Sequence, residues 1–113
     1  MNVRFEEQNI RFKISEEELK QLMQGHIVRV SLGLLVNSMI ALINPNALGE
    51  GMEVKQVLDG DTSYITLLVP SNVLVDLHNM GKNRDGIVVQ QGELSLSLQV
   101  DVRKDSRLKE KAC

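Results

Sequence analysis

Residues 10–25, IRFKISEEELKQLMQG, join a strand directly to a helix, and the reading of that joint decides the fold. Ile10, Phe12 and Ile14 alternate with Arg11 and Lys13, the period of two that gives a strand one dry and one wet face. Ser15 then stands where a helix N-cap belongs, and Glu18 three residues on completes a capping box. Glu16 and Glu17 complement the positive end of the helix dipole. Leu19, Leu22 and Met23 form a short apolar stripe, and Gly25 suits the left-handed stop that ends many helices.

The same grammar extends outward. Upstream, Val3 and Phe5 alternate with Arg4 and Glu6, and a turn at Gln8-Asn9 makes this strand the first arm of a hairpin. Downstream, Val28, Val30, Leu32 and Leu34 alternate with Arg29, Ser31 and Gly33. Residues 39–43 are apolar on both parities, which predicts a buried central strand, and Asn44-Pro45-Asn46 is expected to end it. A loop to Gly51 marks the midpoint. Residues 52–58 read as a strand, Asp59-Gly60-Asp61 as a turn, and Ile65, Leu67 and Val69 as the returning strand. Pro70 and Ser71 open a second helix with Val73, Leu74, Leu77 and Met80 inward and Gly81 as its stop. A turn at 82–86 and a short strand at 87–89 follow. After a turn at Gln91-Gly92, Leu94, Leu96, Leu98, Val100 and Val102 alternate with Ser95, Ser97, Gln99, Asp101 and Arg103.

Moving 55 positions along, Ile10, Phe12, Ile14, Leu19 and Leu22 become Ile65, Leu67, Val69, Leu74 and Leu77. Repeats are best sought before a fold is named, and this one predicts an internal duplication of strand-strand-helix-strand-strand. The expected fold class is α+β: a mostly antiparallel sheet or partly open barrel of seven to eight strands with two short helices. At 113 residues the chain suits one domain over 1–104, with pseudo-repeats at about 1–46 and 52–104 and a flexible charged tail at 105–113.

Asn9, Ile10, Arg11, Phe12, Lys13, Ile14, Ser15 and Glu18 resemble the pattern N-x-I-R-F/L-R-L-S/T-x-x-E, with Asn9 directly before Ile10 and with Lys13 and Ile14 in place of its second arginine and its leucine. With Ile65, Leu67, Val69 and Pro70 mid-chain, and Gly86, Ile87, Leu94, Leu96 and Leu98 near the end, the chain resembles a family of small uncharacterised bacterial proteins. The likeness runs over nearly the whole chain. It departs at the last strand, where that family has E-K-D-F and this chain has Gln99-Val100-Asp101-Val102. The resemblance implies no activity.

Composition excludes more than it assigns. A net charge of −2 supplies no general attraction to nucleic acid or an anionic membrane. Phe5, Phe12 and Tyr64 are the only aromatics, few for a protein that stacks bases. Residues 30–49 carry no charge, yet Ser31, Gly33, Asn37, Ser38, Asn44 and Pro45 interrupt them, so no membrane span is expected. The lone cysteine, Cys113, forms no intrachain disulfide and fits a reducing, cytoplasmic compartment. His26 and His78, the only histidines, lack metal-ligand spacing, and neither G-x-S-x-G nor a phosphate-cradling glycine loop is present. No cofactor, metal or catalytic residue is therefore expected.

Arg4, Arg11, Lys13 and Arg29 fall on the wet parity of N-terminal strands and form the candidate binding face. The function expected is a non-catalytic binding or protein-interaction module, with self-association through a sheet edge and an unknown protein as partners. A ligand carrier or enzyme with a pocket between the halves is the alternative. A pocket lined by His78 or His26 with a carboxylate would favour it. Weak nucleic-acid binding through the basic strand face ranks third.

Overall fold

The computed structural model describes residues 1–33, 38–80 and 86–100. The chain forms β1 (Asn2–Glu6), β2 (Asn9–Ile14), α1 (Glu16–Met23), β3 (Val28–Gly33) and β4 (Ser38–Ala47), then β5 (Glu53–Asp59), β6 (Thr62–Pro70), α2 (Ser71–Met80), β7 (Ile87–Gln91) and β8 (Leu94–Val100). Hairpin, helix, hairpin thus occurs twice. Leu34, the Gly81 stop, the turn at 82–85, Val102, Arg103 and the tail at 105–113 lie outside the described residues.

The two halves exchange hairpins. One sheet runs β1-β2-β8-β7 and the other β3-β4-β6-β5, so each half contributes one hairpin to each sheet. Four of the six pairings are antiparallel, but β2 with β8 and β4 with β6 run parallel, and neither sheet closes into a barrel. The spacing of 55 recurs in the register of both parallel pairs. Phe12 sits opposite Leu98, and Leu67 opposite Ile43; Phe12 and Leu67, and likewise Ile43 and Leu98, are 55 positions apart.

The inward residues of both sheets meet in one core with the buried sides of the helices. Phe12, Ile14, Leu96 and Leu98 come from the first sheet, Ala41, Ile43, Leu67 and Val69 from the second. Leu19 and Leu22 of α1 and Val73, Leu74 and Leu77 of α2 complete it. The helices touch each other and β4, with α1 also against β3 and α2 against β6. Met23, expected in the apolar stripe of α1, is exposed instead, as is Phe5 near the end of β1.

Asn44-Pro45-Asn46 does not end its strand. β4 continues to Ala47, with a register shift against β6 between Asn44 and Ala47. Proline is tolerated in a central strand at such an irregularity, because its missing N–H then costs no ladder bond. The Asn44 Oδ1 accepts from the Asn46 N–H at 3.0 Å, and Asn46 Nδ2 donates to the Gly25 carbonyl at 3.3 Å. Side-chain bonds thus replace part of the ladder where the pairing is interrupted.

α1 starts and stops as its sequence directs. The Ser15 hydroxyl accepts from the Glu18 N–H at 3.1 Å, and the Glu18 carboxylate accepts from the Ser15 N–H at 2.9 Å. At the other end Gly25 has φ +90°, its N–H donates to Leu22 and the His26 N–H donates to Gln21, the Schellman pattern. Glu18 also accepts from the Met1 ammonium at 2.7 Å. Partial burial pushes the Glu18 carboxyl up, but the hydrogen bonds from Met1 and Ser15 and the ammonium charge outweigh it and hold it below its ordinary value. A depressed carboxyl adds stability above the unfolded-state value, and that share is lost as pH falls through the folded value. Thermal melts from pH 7 to pH 3 should therefore converge for wild type and Glu18→Gln at the acid end, and Ser15→Ala should lose about 1 kcal/mol at pH 7. A constant gap between the two melting curves at every pH would contradict the assignment.

At the other join, the Gln91 side chain bridges the edges of the two sheets. Its Oε1 accepts from the Val54 N–H at 2.8 Å, and its Nε2 donates to the Val54 carbonyl at 3.1 Å. A primary amide has the same donor and acceptor pair as a backbone peptide, so Gln91 satisfies β5 as a neighbouring strand would.

Candidate binding face

The outward side of the first sheet follows from its registers. One row holds Arg4, Arg11, Ser97 and Val88; the next holds Asn2, Lys13 and Gln99; the third holds Glu6, Asn9, Ser95 and Gln90. Alternation with the buried Phe12, Ile14, Leu96 and Leu98 turns these side chains away from the core. Three of the four cations named from the sequence, Arg4, Arg11 and Lys13, thus share one surface. Arg29 does not: it lies on β3, opposite Leu42, in the other sheet. Strand parity tells which way a side chain points but not which sheet its strand joins.

Arg4 stands directly opposite Arg11, and like charges so placed disfavour the pairing. Glu6 reaches the Arg11 Nε at 3.5 Å, an exposed contact worth little in water. Neither Arg4 nor Lys13 has an ion-pair partner among the described residues. In the neighbouring row, the Oδ1 of Asn9 is buried without a hydrogen-bond partner among the described residues. The surface is mostly polar, cationic on its β1–β2 side and without an aromatic ring, with Val88 of β7 exposed at its opposite edge.

The histidines are not brought together. His26 is exposed past the end of α1, whereas His78 on α2 lines a groove of about 490 Å³ between the two helices. Leu19, Met23, Leu77 and Val100 supply its apolar wall, and Glu16, Lys20 and Gln24 its polar rim. Among the described residues no cluster of three or more histidine, cysteine or acidic side chains could hold a metal ion, and Cys113 lies outside them. No helix of the described residues is long and apolar enough to cross a membrane.

Sequence reading passed over the outward side of the second sheet. Its rows are Ser31, Ile40, Tyr64 and Val57; Arg29, Leu42, Thr66 and Lys55; and Asn44, Leu68 and Glu53. Ile40, Leu42, Tyr64 and Leu68 are half-buried, while Val57 is exposed. The signal was present as apolar residues on both parities of 39–43 and of 67–69, but central burial accounts equally well for such runs.

No protein-family model matches the chain, and no curated protein or solved structure is significantly similar to it.

Proposed function

We propose that this chain is a non-catalytic binding module that engages an acidic protein segment through the outward face of its first sheet. One observation carries the reading: Arg4 and Arg11 are cross-strand neighbours with Lys13 beside them, and the exposed contact from Glu6 to Arg11 offsets only part of that like-charge cost. Carboxylates suit the forked donors of paired arginines. A protein segment is favoured over nucleic acid because no ring is available on this face for stacking bases. The lone Cys113 and the likeness to a bacterial family support a cytoplasmic setting in a bacterium.

Binding of a labelled polyglutamate peptide, followed by fluorescence anisotropy beside a single-stranded oligonucleotide of equal charge, tests this. The peptide should bind more tightly of the two, weaken as salt rises, and lose at least about tenfold in affinity to Arg4→Glu with Arg11→Glu. Peptide binding that survives both reversals would overturn the assignment, and tighter binding of the oligonucleotide would replace the partner class.

A second reading, a small-ligand carrier or enzyme with its pocket between the halves, is favoured by the groove that His78 and Glu16 share. Its volume lies in the range of small-molecule sites. The two side chains come from different helices and share no hydrogen bond among those of the described residues.

A further inference from the structure

The duplication supplies an internal control for the outward faces. Position for position, Lys13, Ser95 and Ser97 of the first sheet correspond to Leu68, Ile40 and Leu42 of the second, each pair being 55 apart. The fold therefore does not require apolar groups at these positions, since the first sheet is built without them. Leaving Ile40, Leu42, Tyr64, Leu68 and Val57 in contact with water is unfavourable in proportion to their apolar area. From this we infer that the outward face of the second sheet is covered, and that its occupant is a second copy of this chain.

Size, shape and edges point to self-association through this face. Four strands at about 4.8 Å spacing and about 27 Å of strand length offer roughly 500 Å² per copy, or about 1,000 Å² in all, near the lower bound for a specific interface. A twofold axis along the strands lays β4 of one copy over β6 of the other, as in aligned sheet packing. Leu42 then meets Thr66 of the second copy and Thr66 meets Leu42, large against small on both sides of the axis. The same operation lays the β3 edge over the β5 edge, where Arg29 falls over Lys55 and Glu53 lies one row along, so the apolar centre and not the charged rim holds the two copies together. Edge pairing through β5 is disfavoured, because Gln91 already takes both backbone groups of Val54. The dimer leaves the Arg4 and Arg11 surfaces on its two outer sides, so it holds whether or not those surfaces bind acidic partners.

Sedimentation equilibrium over a range of concentrations provides the test. Wild type should approach twice the 12.7 kDa chain mass at micromolar concentration. The variant Ile40→Ser with Leu42→Ser and Leu68→Lys installs side chains that the first sheet carries at the equivalent positions. It should keep its far-ultraviolet circular dichroism and weaken self-association at least about 100-fold. Tyr64, the only tyrosine in a chain without tryptophan, reports on the same face independently of any variant. Acrylamide quenching of its emission should fall as wild-type mass rises. A wild type that stays monomeric, a dimer that survives the triple substitution, or a dimer whose Tyr64 quenches as freely as the monomer's would each overturn the inference.

Discussion

Phe12→Ala is expected to destabilise the protein by about 4 kcal/mol, enough to consume much of the stability of an ordinary domain of this size. Phe12 is fully buried and is among the largest side chains so placed. On β2 it lies between Val3 of β1 and Leu98 of β8, so its ring joins the first hairpin of the chain to the last. Truncation there removes the transfer energy of an aromatic ring and leaves a cavity that strands held on both sides close poorly. Leu67→Ala, at the equivalent position of the second sheet, should cost about 3 kcal/mol by the same mechanism. Arg11→Ala, one residue from Phe12 but facing outward, should change stability by less than about 0.5 kcal/mol. Urea unfolding of the three variants measures all of this, and equal losses at Phe12 and Arg11 would contradict the assignment of faces.

The strands and helices were legible because their signals are local. A period of two, a capping box at Ser15 and Glu18, and a glycine after α1 each act over a few residues, and the chain obeys them. Pairing was not legible in the same way. Phe12 opposite Leu98 spans most of the chain, and nothing within β2 distinguishes a parallel from an antiparallel neighbour. Pro45 misled because its breaking effect is local whereas its tolerance depends on the interrupted register between β4 and β6. Arg29 groups with Arg4, Arg11 and Lys13 by strand parity for a related reason: parity is local, whereas the exchange of hairpins that sends β3 to the other sheet is not. Ile40 and Leu42 read as buried because a strand covered on both faces has the same composition as one with an apolar outer surface.

Exchange also determines how the halves depend on each other. A half by itself holds two separate two-stranded hairpins, which are marginal in water, and its helix would have little to pack against. β2 needs β8, and β4 needs β6, in each case from the other half. The long separations between these partners also predict slow folding for a chain of this length. Gly86, with φ +64°, belongs to the same junction: a side chain there would overlap the Leu98 carbonyl, so only glycine lets the chain enter β7 so close to β8.

The most direct measurement places a specific protease site in the loop at 48–51, where Leu48 is almost fully exposed, and cuts the folded protein there. The two fragments should elute together at the mass of the uncut species and melt in one transition, while either fragment alone should be unfolded. A fragment that folds cooperatively by itself as a monomer would mean that each half completes its own sheet, and the exchanged architecture would be wrong.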